Sequence, residues 1–324
     1  MSYPTVAPSA SERESSFSKS VSFDPAFLPK PPRFIIDCVP VDRVPMEYAA
    51  AWIVHGIKQR PSLPPLLIVG PNAHLVTLAA KNKRFAQALQ AADLSVADGI
   101  SVVLTSRLLG NPIPERVTGG DLMERLCLEA ACHGFSVFLL GGLQEAAATA
   151  AVKLQQRYPA LNICGTYCPP FGFENDPIES AYIRELIANA APDLLCVAFG
   201  APKQEIWMYE NCPSLPIGAA IAVGAALDTL AGLRKRAPTW ARRAGVEWLY
   251  RLCHEPRRLW RRYLFGNTRF LLLVLRQWLA GSPRSVDDFA GGKPSITESA
   301  HPLETQFDSI SSGGPIAKYR QPQH

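Results

Sequence analysis

Short apolar runs alternate with longer amphipathic segments through the middle of this chain, and that alternation constrains its fold more than any other feature. The runs are Phe34–Cys38, Leu66–Val69, Leu94–Ala97, Val137–Leu140, Asn162–Gly165, Leu194–Phe199 and Ile217–Val223. Between them lie segments of helical length and spacing, such as His74–Ala91, Gln144–Tyr158 and Ile178–Ala190. Strand-length runs separated by helices predict βαβ units. The fold class is therefore α/β: a Rossmann-like, mostly parallel sheet with helices on both faces. No internal repeat is visible. The chain has 324 residues, 48% of them hydrophobic. That is enough to pack one or two domains, and it excludes a wholly disordered chain or a disulfide-stapled miniprotein.

From Trp240 the alternation stops and the chain turns helical, basic and aromatic. Trp248, Tyr250, Trp260, Tyr263, Phe265, Phe270 and Trp278 are interleaved with arginines, and Pro256 is expected to divide the segment into two helices. Between Arg234 and Arg276 twelve Lys or Arg face two acids, Glu247 and Glu255. That segment carries +10 of a net +5, leaving −5 for the rest. Such asymmetry points to an anionic partner at one end of the molecule. An interfacial helix on an anionic membrane surface fits this composition. The alternative is a helical pair packed on the domain with a solvated basic face. Nucleic acid is not expected, because the aromatics lie on helices rather than on a strand or loop platform.

The expected organisation is a disordered leader (1–32), a Rossmann-like domain (33–238), a basic amphipathic appendage (239–280) and a disordered tail (281–324). The longest strongly apolar run, Phe270–Leu275, is far short of the roughly 20 residues that span a bilayer. The N-terminal segment has no apolar core of a secretory signal. These features predict a cytoplasmic protein. The eight cysteines form no CxxC pair and read as buried thiols in a reducing compartment.

Several of the expected strands end in glycine or small polar residues just before a helix. Examples are Gly70-Pro71-Asn72, Asp98-Gly99, Gly141-Gly142, Gly200-Ala201-Pro202 and Gly224-Ala225. In open α/β sheets ligands bind beyond the carboxyl ends of strands, where helix N-termini suit phosphates. A nucleotide or nucleotide-sugar site is the default. No GxGxxG and no GxxxxGK[ST] occurs, which weakens both the alternative of an NAD-dependent oxidoreductase and a P-loop. No DxD and no HxxxH or HxH cluster occurs either, so neither a metal nor another cofactor is expected.

The ordered motifs resemble one family. They are Asn72-Ala73-His74-Leu75, Ala97-Asp98-Gly99, Arg116-Val117-Thr118-Gly119-Gly120-Asp121-Leu122, Phe138-Leu139-Leu140-Gly141-Gly142, Pro202-Lys203-Gln204-Glu205, Val223-Gly224-Ala225, Arg236-Ala237-Pro238 and Glu247-Trp248-Leu249-Tyr250-Arg251. Together they are similar to the WecG/TagA/CpsF glycosyltransferases. The resemblance implies an inverting enzyme, peripheral on the inner face of the plasma membrane, that moves a sugar such as N-acetylmannosamine or a related hexose from a UDP-sugar donor to a polyprenyl-diphosphate-linked acceptor. It places the enzyme in bacterial cell-surface polysaccharide biosynthesis, with an appendage that engages the membrane. A homo-oligomer and a non-catalytic membrane adaptor both stay open.

Each candidate residue has two readings. Asp98, at a strand end, is the base that the resemblance implies, or an N-cap of the next helix. Asp121 is its rival and also reads as an N-cap. Asn72 would bond a substrate sugar or cap the helix near Ala73. The family commonly has Thr two residues before this Asn; here that position is Gly70, and the hydroxyl is missing. Arg116 would meet the diphosphate, or pair with Glu115 or Glu124. Gly141, Gly142, Lys203, Gln204 and Asp228 are expected around the donor, with Glu205 as an alternative partner of a helix dipole. Arg251, Arg258 and Arg261 match the arginines of the family's appendage and would bind the lipid diphosphate, or form a solvated face.

Overall fold

The computed structural model describes residues 28–59, 63–235, 237–238, 241, 247, 250, 252 and 256–281, with backbone alone for 256–265. Arg251 and the side chains of Arg258 and Arg261 lie outside the described residues. So do the tail beyond residue 281 and the leader up to residue 27.

A hairpin comes first. β1 (Arg33–Ile36) and β2 (Val39–Asp42) pair antiparallel, with Ile36 opposite Val39. Asp37 turns the chain at φ 56°, so the run Phe34–Cys38 is not one strand and Cys38 lies in the turn. Arg33 holds Asp42 at 2.7 Å through Nε and again through Nη2. The same carboxylate accepts from the Ser95 amide at 2.7 Å and ties the hairpin to the main sheet.

The rest alternates. In chain order the elements are α1 (Met46–Lys58), β3 (Leu66–Val69), α2 (Ala73–Ala79), α3 (Lys83–Gln90), β4 (Leu94–Ser95), α4 (Ile100–Leu108), α5 (Gly119–His133), β5 (Ser136–Gly141), α6 (Ala146–Arg157), β6 (Asn162–Tyr167), α7 (Pro177–Ala190), β7 (Leu194–Ala198), α8 (Lys203–Asn211), β8 (Ala219–Ala222), α9 (Ala226–Ala231) and α10 (Pro256–Leu279). The six strands β3–β8 form one sheet in the order β4-β3-β8-β7-β5-β6, and every pairing is parallel. All six carboxyl ends therefore open on one edge. Two expectations change here. His74–Ala91 is two helices, because Asn82 caps a new one by accepting from Phe85 N at 3.1 Å. The run Leu94–Ala97 is a strand only at Leu94 and Ser95, although Val96 N still donates to Val69 O at 2.9 Å.

The central strands read as unbroken apolar runs because both faces are covered. Leu66, Ile68, Leu139, Cys196 and Ile221 pack under α1, α5, α6 and α9. Leu67, Leu140, Leu195, Val197 and Ala220 pack under α7 and α8. A third cluster joins the hairpin, α2, α3 and the end of α10.

Helix α10 begins at Pro256, where the ring costs no hydrogen bond. Phe270 and Val274 bury one side of it. Three residues on from Val274, Gln277 grips the hairpin: its Oε1 accepts from Asp37 N and its Nε2 donates to Ile35 O, both at 2.8 Å. The other side exposes Leu271, Leu272, Leu275, Trp278 and Leu279. No helix among the described residues is long and apolar enough to cross a membrane.

Candidate active site

Asp98 sits just past β4 on the open edge, partly buried. It is not the cap of α4, whose N-cap is Gly99. Its Oδ2 accepts from Asn72 Nδ2, and its Oδ1 accepts from the Gly119 amide, both at 3.3 Å. Gly119 is the first residue of α5, so this carboxylate rests against the positive end of a helix of 15 residues. The cap of that helix is Thr118, not Asp121. Thr118 Oγ1 donates to Asp121 Oδ2 at 2.7 Å and accepts from Asp121 N at 3.1 Å, an N-cap whose second bond ties the Asp121 side chain to the helix start. Asn72 fills both of its readings at once. Its Oδ1 caps α2 by accepting from His74 N and Leu75 N, while its amide nitrogen faces Asp98.

Glycine is needed where this cluster meets the sheet. A Cβ on Gly119 would lie 2.8 Å from the carbonyl oxygen of Ala222 on β8. A Cβ on Gly70 would press on Asp98 Cβ at 3.3 Å. Arg116, three residues before Gly119, pairs with neither expected acid. It meets Glu247 at 3.4 Å, whereas Glu115 bonds Met46 N and Glu124 bonds Arg157. Glu247 belongs to the basic segment, so this ion pair joins that segment to the sheet edge.

A second group gathers at the ends of β5, β7 and β8. Gly141 and Gly142 have φ of 97° and 89°. A Cβ on Gly142 would lie 2.8 Å from Ala146 Cβ and 3.0 Å from Asp228 Oδ1. Asp228, buried at the start of α9, accepts from Leu143 N at 2.8 Å and pairs with Arg234 at 3.0 Å. It fastens the loop after β5 to α9. Gln204 is buried, and its Oε1 accepts from both Gly200 N and Gly224 N at 3.1 Å. Its Nε2 donates to Glu205 Oε1 at 2.8 Å. Burial pushes the Glu205 carboxyl up to about 7. Lys203 stands at the rim, bonded to Glu174 and 5.0 Å above the ring of Phe171. That bond holds the Glu174 carboxyl below its ordinary range.

Asn72 and Asp98 are thus in direct contact, and Gly141, Gly142 and Asp228 form one packed corner. Gln204 joins two strand ends, and Lys203 stands beside it on the rim. Gly119 connects the two groups, since its amide meets Asp98 and its Cα packs on β8. Sequence reading passed over Gly119 as a functional contact. The Thr118-x-x-Asp121 pattern was the available signal, because it starts a helix at Gly119 and leaves that amide at the edge. Among the described residues no group of three or more His, Cys, Asp or Glu is placed to hold a metal.

The sequence profile of the Glycosyl transferase WecG/TagA/CpsF family matches residues 35–284. The chain belongs to this family. Three relatives carry the name N-acetylglucosaminyldiphosphoundecaprenol N-acetyl-beta-D-mannosaminyltransferase. The one from Bacillus spizizenii is 34% identical over 209 residues, covering 64% of this chain and 78% of the relative. The one from Bacillus subtilis is 31% identical, covering 64% of this chain and 77% of the relative. The one from Staphylococcus aureus strain MW2 is 32% identical, covering 60% and 75%. As a WecG/TagA/CpsF protein the chain is a glycosyltransferase. The matched region contains the whole open edge and the described part of α10.

Proposed function

We propose that this glycosyltransferase moves a sugar from a UDP-sugar to a sugar on a polyprenyl diphosphate, with inversion and without a metal, at the inner face of the plasma membrane. The observation that carries this reading is the placement of Asp98: a carboxylate on the open sheet edge, oriented by the Asn72 amide and the first amide of α5. The relatives' names supply the chemistry. In those names an N-acetyl-beta-D-mannosaminyl group goes to N-acetylglucosaminyldiphosphoundecaprenol.

In this reading the acceptor hydroxyl oxygen attacks the anomeric carbon. Its new C–O bond forms as the bond to UDP breaks, and the electron pair departs with UDP. The hydroxyl proton passes to Asp98. Arg116 and Lys203 face the developing charge on the diphosphate, and Arg251, Arg258 and Arg261 add to it from the appendage. Asn72, Gly141, Gly142, Gln204 and Asp228 shape the donor site. The domain then runs over 33–238 and the appendage over 239–280. The appendage lays the apolar side of α10, Leu271, Leu272, Leu275, Trp278 and Leu279, on anionic lipid. Gly70 leaves more room beside Asp98 than a β-branched residue would, so the donor sugar is to be chosen by trial over a panel.

The test is a thermal-shift and calorimetric titration with UDP in EDTA, followed by product analysis with a lipid diphosphate acceptor. A ligand that binds only the native state raises the melting temperature. UDP is expected to do so in EDTA, and Asp98→Asn is expected to bind UDP but transfer no sugar. Full transfer by folded Asp98→Asn, or tight NAD binding with no UDP binding, would sink the proposal.

A further inference from the structure

Glu205 lies on α8 with 2% of its surface exposed, and the mechanism above gives it no task. Its Oε1 accepts from Gln204 Nε2 at 2.8 Å. Its Oε2 is buried with no hydrogen-bond partner. A buried carboxyl with an orphaned oxygen carries a desolvation penalty that packing does not repay, and an apolar side chain of the same volume would avoid it. What the carboxyl supplies in return is an acceptor at one end of its neighbour's amide.

That amide has two unlike ends. At the oxygen end Gln204 Oε1 receives the Gly200 and Gly224 amides, each at 3.1 Å. Gly200 follows β7 and Gly224 follows β8, both at positive φ. The last ladder bond between those strands' extensions is Val223 N to Val197 O at 2.9 Å. Beyond it, Gln204 is what ties the two loops. Rotating the amide by half a turn would aim its N–H groups at two N–H donors and its oxygen at a carboxyl oxygen. An acceptor at the position of Glu205 Oε1 forbids that rotation. The end of β8 also lies against α5, since a Cβ on Gly119 would meet Ala222 O at 2.8 Å and Val223 Cα, the first residue past the strand, at 3.7 Å. Gly119 in turn donates to Asp98.

We infer that Glu205 is a positioning residue, which fixes the Gln204 amide and through it the spacing of the loops after β7 and β8. The functional consequence rests on the proposed nucleotide site, because those loops border it; the positioning itself does not. The acceptor is what matters, and the charge is not required. The protonated carboxyl keeps an acceptor oxygen, and so does the amide of a glutamine.

The experiment compares Glu205→Leu, which keeps the volume and removes the acceptor, with Glu205→Gln, which keeps both. The readouts on the full chain are amide hydrogen exchange at Gly200 and Gly224 without ligand, the UDP dissociation constant, and kcat and KM separately. In Glu205→Leu, exchange at both glycines is expected to rise about tenfold or more, with a similar weakening of UDP and rise in KM. Glu205→Gln is expected to restore all of these to within about threefold of the parent. Parent-like exchange and kinetics in Glu205→Leu, with only a lower melting temperature, would overturn the inference, as would equal damage by both variants. If Glu205→Leu does not fold, Glu205→Met, which also removes the acceptor, takes its place against Glu205→Gln and must raise exchange at both glycines. If UDP fails to bind the parent protein, the nucleotide reading falls, while the exchange contrast still decides the role of Glu205.

Discussion

One amide on Asn72 serves both α2 and Asp98: its oxygen receives His74 N and Leu75 N at 3.0 and 3.2 Å, and its nitrogen donates to Asp98 Oδ2 at 3.3 Å. The capping bonds decide which end is oxygen, so the nitrogen has no choice but to face the carboxylate. The helix start thus sets the orientation of a group at the proposed reaction centre.

Asn72→Asp separates the two duties. Aspartate caps a helix as well as asparagine does, so the melting temperature should stay close to that of the parent. It also replaces a donor to Asp98 with a second carboxylate. Like charges that close raise the pKa of the pair by about a unit or more. The acid limb of the pH–rate profile should move upward, with a loss of kcat near neutrality. A parent-like profile would show that the amide nitrogen of Asn72 does not govern Asp98.

Gly142→Ala should cost stability and loosen Asp228 together. The new methyl must occupy a backbone at φ 89° and sits 2.8 Å from Ala146 Cβ. Strain and overpacking of this kind cost about 1–3 kcal/mol each. Calorimetry should show a melting point several degrees lower, and UDP binding should weaken with it. An unchanged melting point would mean that the corner has slack which these distances do not allow.

The buried carboxyl of Glu205 predicts a stability slope with pH. Its native pKa of about 7 stands above the ordinary 4.5, so the folded chain holds a proton that the unfolded chain releases between those values. The contribution is fully present below pH 4.5 and is lost as pH rises through 7. At about 1.4 kcal/mol per unit, the loss is on the order of 3 kcal/mol. Glu205→Gln cannot ionise, so its melting-temperature advantage over the parent should grow from pH 5 to about pH 8. A constant difference across that range would place the carboxyl in wetter surroundings than its burial indicates.

The outer side of α10 can be tested without touching the fold. Leu271, Leu275 and Trp278 are 64%, 48% and 50% exposed, and serine at all three should leave the melting temperature unchanged. Cosedimentation with vesicles rich in anionic lipid should fall by about tenfold or more, since each buried leucine contributes roughly 1.5–3 kcal/mol. Binding by the parent should weaken with added salt, because the +10 segment acts through screened charge. Undiminished binding by the triple variant would leave charge alone as the attraction.

The sheet was legible because its central strands are buried on both faces. Leu66–Val69 and Leu194–Ala198 are apolar without interruption and need no partner to be recognised. The strand Val39–Asp42 was not legible. It is short, holds a proline and ends in Asp42, whose burial depends on Arg33 and Ser95. Of the site, Asn72 and Asp98 could be picked out as neighbours of strand ends, but not as partners, since 26 residues separate them. The ion pair of Arg116 with Glu247 spans 131 residues, and local charge spacing favours the wrong acids. Glu205 reads in the sequence as a first-turn partner of the helix dipole. Only the packing of α8 shows that it is buried.

The grip of Gln277 on the hairpin has a further consequence. Ile35 O on β1 and Asp37 N in the turn after it are two groups that an added strand could use, and a single side-chain amide occupies both. A free strand edge is a template for pairing with other chains, and natural proteins cover such edges. Here part of the cover is the end of α10, so the helix whose outer side is proposed to meet lipid also closes two of the groups through which the hairpin could recruit a strand of a neighbouring molecule.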